Sequence, residues 1–97
     1  MEVTNTLLSN TLVQRNPEIL FSKLDDELLG IDAQAGYCYS LNVTAGRIWE
    51  LIAAPTPIEA ICTQLRKEYA VDEASCLREV TSILQGLCDA GLVHVAG

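Results

Sequence analysis

The period of the hydrophobic pattern changes partway along the chain. Between residues 16 and 41, short apolar runs are separated by turn residues. The first run, residues 19–24, is bounded by Asn16-Pro17 and by Asp25-Asp26. Residues 27–32 follow, with Leu28, Leu29 and Ile31 as their apolar content, and Ala33-Gln34-Ala35-Gly36 makes a four-residue turn. Residues 37–41 then alternate, which puts Tyr37, Tyr39 and Leu41 on one face. Short runs punctuated in this way predict a three-stranded antiparallel meander. Such a sheet is marginal alone, so one of its faces needs a cover.

From residue 42 onward the apolar positions recur every three or four residues, the helical period. Asn42 is placed to cap a first helix reaching about Ala53, with Ile48, Trp49, Leu51 and Ile52 as its apolar positions. Thr56-Pro57-Ile58-Glu59 predicts a second helix, with Thr56 as N-cap, Pro57 at the first helical position and Glu59 closing a capping box. Its stripe is Ile58, Ile61, Cys62, Leu65 and Tyr69. Asp72 is placed to cap the third and longest helix, and Gly91 to end it as a C′ glycine. Cys76, Leu77, Val80, Ile83, Leu84, Leu87 and Cys88 form its stripe, wide enough to seat in a core and leave a flank for a partner. Three strands followed by three helices is an α+β pattern with helices on one face of the sheet.

The two ends carry less pattern. Residues 1–11 are rich in Thr, Asn and Ser and read as a loose arm. Residues 11–15 and 92–95 are each compatible with a short strand. The expected organisation is therefore a flexible arm over residues 1–15 and one domain over residues 16–97, which suits a chain of this length.

Composition narrows the function. Apolar residues make up 49% of the chain and charged ones 20%, a globular balance. Aromatic residues are only 5%, so the core must rest on aliphatic side chains. The formal charge is -7, and the six basic residues are scattered. That argues against a nucleic-acid surface, which needs clustered Lys and Arg, and against an anionic membrane. The N-terminal sequence lacks a basic region followed by an apolar run, and no apolar stretch is long enough to span a bilayer. The expected compartment is the cytoplasm, where the sequon Asn42-Val43-Thr44 has no meaning for glycosylation.

Candidate chemistry is sparse. Cys38, Cys62, Cys76 and Cys88 contain no C-x-x-C pair and fit no zinc spacing, so they read as small hydrophobes in a reduced compartment. The one histidine, His94, has no evident nucleophile or orienting partner. Asp25, Asp26, Glu27, Asp72 and Glu73 fall in turns and caps, where acids are well solvated. No phosphate-binding glycine loop or nucleophile elbow is present. No enzyme, metal or cofactor is expected. A binding role remains: in a meander the last strand is an edge, whose unpaired N–H and C=O groups accept an added strand.

Gly36-Tyr37-x-Tyr39-x-Leu41-Asn42-x-Thr44-Ala45-x-x-Ile48-Trp49-x-Leu51 resembles the strand-to-helix junction of PqqD-like proteins. Thr56-Pro57-Ile58-Glu59-Ala60-Ile61 resembles the family's second-helix start, and Lys67-Glu68-Tyr69-x-Val71-Asp72 its link to the third helix. Val80-x-x-Ile83-Leu84-x-x-Leu87-x-x-x-Gly91-Leu92-Val93 is similar to its third helix and exit. The resemblance implies a winged-helix-like domain without catalysis, a recognition element for ribosomally made precursor peptides. Such an element holds the peptide's leader as a strand beside the meander and presents the rest to a modifying enzyme, such as a radical-SAM protein or a leader peptidase. The site it implies is Tyr37, Cys38, Tyr39 and Ser40 on the strand with Leu77, Val80, Thr81 and Leu84 on the third helix. Two alternatives stand beside it. One is a DNA-binding winged helix, disfavoured because the third helix carries a single basic residue, Arg78. The other is a protein-interaction adaptor that pairs its edge strand with a second copy as a homodimer.

Overall fold

A computed structural model describes residues 7–25 and 27–96. The predicted meander is present: β2 (Leu20–Leu24), β3 (Glu27–Asp32) and β4 (Tyr37–Leu41) form an antiparallel sheet in the order β2-β3-β4. Leu28 pairs with Leu41 and Gly30 with Tyr39, so the side chains of Leu28, Tyr39 and Leu41 share the face on which α1 (Val43–Leu51) packs. Gly36 ends the last turn at φ 79°, a left-handed conformation that suits glycine. Asp25 takes the positive φ of the first hairpin, and its neighbour Asp26 lies outside the described residues.

The segments with weak pattern form a second sheet. β1 (Leu12–Arg15) is its central strand, between β5 (Thr56–Pro57) and β6 (Val93–Ala96), with both pairings antiparallel. Residues 12–15, expected in the arm, are thus in the body of the domain, and Val13 is fully buried. Leu7 is buried too; the rest of the arm, residues 1–6, lies outside the described residues, as does Gly97.

Helix α1 (Val43–Leu51) starts where its cap predicts: the Asn42 side chain accepts from the Ala45 N–H at 2.8 Å. It ends two residues earlier than expected, because Arg15 N–H captures the Ile52 carbonyl at 3.0 Å and ties the helix exit to β1. Gly46 faces β3, and a Cβ there would meet Leu28 Cβ at 3.5 Å, so the helix lies close on the sheet. Trp49 is buried against Phe21 in an edge-on contact, and Arg15 covers the Phe21 ring.

Helix α2 (Ile58–Glu68) corrects the predicted capping box. Pro57 is the N-cap and makes no side-chain cap bond. Thr56 belongs to β5, and its hydroxyl donates to the Leu51 and Ala54 carbonyls. The first amides of the helix, on Ile58 and Glu59, donate instead to the carbonyls of Thr11 and Ser9. A neighbouring backbone segment has taken the capping role that local sequence assigned to a side chain. Helix α3 (Glu73–Asp89) matches its prediction at both ends: Asp72 accepts from the Ser75 N–H, and Gly91 follows with φ 79°. Ile48, Ile52, Ile58, Ile61, Leu84 and Val93 meet with Val13 and Trp49 in one core between the sheets and the helices.

Candidate peptide-binding groove

Strand β4 pairs only with β3 among the described residues, so its outer backbone edge is unpaired. The strand is Tyr-Cys-Tyr-Ser-Leu. It carries no charge and no proline, the usual devices that protect an edge from pairing. The opposite edge strand, β2, carries Lys23. Exposure along β4 is graded: Tyr37 is 62% exposed, Cys38 and Ser40 are exposed, Tyr39 is half-buried against the core and Leu41 is buried. The Tyr37 and Tyr39 rings lie 6.2 Å apart on the helix-facing side. Cys38 and Ser40 face the other way, where the Ser40 hydroxyl donates to Glu27 at 3.3 Å.

Helix α3 divides into a buried centre and two flanks. Cys76, Val80, Leu84 and Leu87 are the centre, turned into the core. On one flank Cys76, Glu79 and Val80 line a cavity of about 200 Å³ together with Thr44, Leu65, Tyr69 and Val71. Thr44 lies in the first turn of α1, just past the end of β4, so this flank belongs to the β4 side of the molecule. Ile83, half-buried, continues the same flank one turn beyond Glu79. The walls are mainly aliphatic and aromatic, with Glu79 as their one charged group. On the other flank Leu77 lines a separate cavity with Ser9, Glu59, Cys62 and Arg66. Thr81 is one turn beyond Leu77 on that flank.

The eight residues singled out from the sequence are therefore only partly brought together. Tyr37, Cys38, Tyr39 and Ser40 form the free edge. Val80 touches the cavity but is 2% exposed, and Leu84 is fully buried, so both serve the core. Leu77 and Thr81 sit on the flank by the arm and α2, away from β4. Thr44, Tyr69, Val71 and Glu79 line the cavity without having stood out in the sequence. Their helical and loop positions were visible, but the choice of flank depends on how α3 is rotated against the sheets, which periodicity does not specify.

Among the described residues no group of three His, Cys, Asp or Glu side chains is placed to hold a metal ion. His94 is exposed on β6. Among the described residues no helix is long and apolar enough to cross a membrane.

A three-stranded meander with one bare edge, followed by three helices and joined by a second small sheet, defines an α+β domain. The chain belongs to the PqqD family: the family model described as coenzyme PQQ synthesis protein D matches residues 27–93. No curated protein sequence matches the chain. Two solved structures share the fold. One, TbiB1 in complex with the TbiA(beta) leader peptide, is 24% identical, with a TM-score of 0.78 over 87% of this chain and 98% of that one. The other, lasso peptide synthetase B1 complexed with the leader peptide, is 22% identical, with a TM-score of 0.75 over 84% of this chain and 96% of that one.

Proposed function

We propose that this domain is a recognition element for the leader of a ribosomally made precursor peptide, with no catalytic role of its own. The observation that carries the reading is the bare, uncharged edge of β4, followed in α1 by Thr44, which lines a mainly apolar cavity shared with α3. The leader adds as a fourth strand next to Tyr37–Leu41, and its backbone takes up the free N–H and C=O groups. Side chains on its inward face lie against Tyr39, Glu79 and Ile83, and one enters the cavity walled by Thr44, Tyr69, Val71 and Cys76. The likeness of the fold to two proteins solved with leader peptides supports this reading.

Affinity in such a groove comes from strand pairing and apolar contact. The chain's charge of -7 and Glu79 in the cavity wall give it no attraction for an acidic peptide. The bound peptide is then presented to a separate modifying enzyme, a radical-SAM protein or a leader peptidase. The test is a titration of the labelled protein with the leader of the precursor encoded beside it, followed by amide shifts. The expected result is perturbation of residues 37–41 and of the Cys76–Glu79–Ile83 flank. Shifts confined to other surfaces, or none at all, would overturn the proposal.

A further inference from the structure

Two of the four cysteines meet where α2 packs on α3. The Cys76 Sγ lies 3.9 Å from the carbonyl oxygen of Cys62, so the two residues touch across the helix packing, both with free thiols. Both residues are buried, at 6% and 4% exposure, yet each also forms part of a cavity wall. Cys62 lines the cavity of about 190 Å³ beside Ser9 and Arg66, and Cys76 lines the one of about 200 Å³ beside Tyr69 and Glu79. The contact between the two residues is thus flanked by two cavities, each with room for a small oxidant. The peptide-binding reading uses neither the Cys62 thiol nor the contact. Cys38 is exposed on β4, and Cys88 lines a different cavity beside Leu7 and His94.

We propose that Cys62 and Cys76 are a disulfide-forming pair, a modification site at which a peroxide joins α2 covalently to α3. One sulfur attacks hydrogen peroxide: the O–O bond breaks, a sulfenic acid forms and the first water leaves. The second sulfur then attacks the sulfenic sulfur, the S–O bond breaks, the S–S bond forms and a second water leaves. The sulfurs together lose two electrons to the peroxide oxygens, and both thiol protons end in water. The bond closes the loop between residues 62 and 76 and holds the two helices where they pack. Burial, and after it the Cys76 thiol, push the Cys62 thiol up to about 11; Glu73 acts in the same direction and Arg66 against it. Closure is therefore slow near neutral pH and faster in alkali, because the thiolate is the attacking form.

The experiment uses the full chain carrying C38S and C88S, treated with hydrogen peroxide, denatured, alkylated with iodoacetamide and weighed. The expected result is a mass loss of two hydrogen atoms, no alkylation, and full reversal by dithiothreitol. Trypsin cuts after Arg66 and Lys67, so the two cysteines part into separate peptides unless they are bonded, and a linked pair identifies the bridge. Oxygen atoms added without a bridge, or a bridge only between two chains, would overturn the proposal. If the double substitution fails to fold, the same peptide map on the unsubstituted chain decides between a Cys62–Cys76 link and any other. Cys76→Ala abolishes the link. The outcome is independent of whether a peptide binds.

Discussion

Glu68, the last residue of α2, reaches across to Arg47 of α1, with Oε2 2.7 Å from Nη2 and Oε1 3.0 Å from Nε. The fork-to-fork geometry joins α2 to the helix that packs on the meander. Arg47 also donates to Glu50, and Glu50 receives Lys23 from β2. The hydrogen bond from Arg47 first, then that from Gln64, hold the Glu68 carboxyl at about 2 instead of 4.5. The pair lies at the surface, so its effect on stability is small and falls with salt.

The sign of its pH dependence follows from that depression. A carboxylate with a lowered folded-state pKa contributes stability that is complete above its unfolded value and lost as pH falls through the folded one. Glu68 should therefore contribute above pH 4.5 and lose its contribution between about 4.5 and 2. Thermal melts of wild type and Glu68→Gln should differ at pH 7 and converge at pH 2. A gap between them that is the same at both pH values would contradict the linkage.

The two flanks of α3 predict opposite results for two similar changes. Ile83→Glu puts a charge on the α3 flank proposed to face the peptide, and it should weaken leader binding by at least about tenfold, or about 1.4 kcal/mol. Leu77→Glu lies on the far flank beside Ser9 and α2 and should leave binding within about twofold, less than about 0.5 kcal/mol. Calorimetric titration of both variants measures this, with circular dichroism confirming that each is folded. The reverse order would place the peptide on the other flank.

Core and edge are separated by a second contrast. Leu84 is fully buried, and Leu84→Ala should cost about 2–5 kcal/mol in urea unfolding, since it leaves a cavity behind. Tyr37 is mostly exposed, and Tyr37→Ala should cost under about 1 kcal/mol, mainly the contact with Tyr39. Equal losses would show that β4 is not a free edge.

Two glycines near the end of α3 should respond with opposite sign. Gly86 is helical and exposed, and an added Cβ meets nothing within 4 Å. Gly86→Ala should stabilise by about 0.5–1 kcal/mol through helix propensity. Gly91 has equal space but φ 79°, so Gly91→Ala should destabilise by about 1 kcal/mol from backbone strain alone. Urea denaturation midpoints give both signs.

Removing a helix cap tests the local reading most directly. Asp72 accepts from the Ser75 amide and hydroxyl, and these bonds lower its pKa. Asp72→Ala should cost about 0.5–2 kcal/mol at pH 7 and less in acid, where the wild-type carboxyl is itself protonated. Thr56→Ala tests the misread cap: it should affect the loop after α1, where the hydroxyl donates to Leu51 and Ala54, without shortening α2. Amide exchange at the start of α2 distinguishes the two.

The sequence alone determined the elements whose information is local. Alternation over Tyr37–Leu41, the Asn42 and Asp72 caps and the glycine after α3 each act within a few residues, so the meander and the limits of α3 were legible. The edge of β4 followed from connectivity, because the last strand of a meander has one neighbour. Tertiary structure decided what depends on distant partners. Residues 12–15 became a central strand only because Thr56-Pro57 and Val93–Ala96 came to lie on either side of them. The first amides of α2 found their acceptors in the arm, so a side-chain cap written plainly in the sequence was left unused. The rotation of α3 was set by packing of Val80, Leu84 and Leu87 into the shared core, and it put Glu79 on the cavity shared with Thr44 and Tyr69 and Leu77 on the one shared with Ser9 and Arg66. A wide apolar stripe is compatible with several such rotations; the volumes of the neighbouring side chains select one.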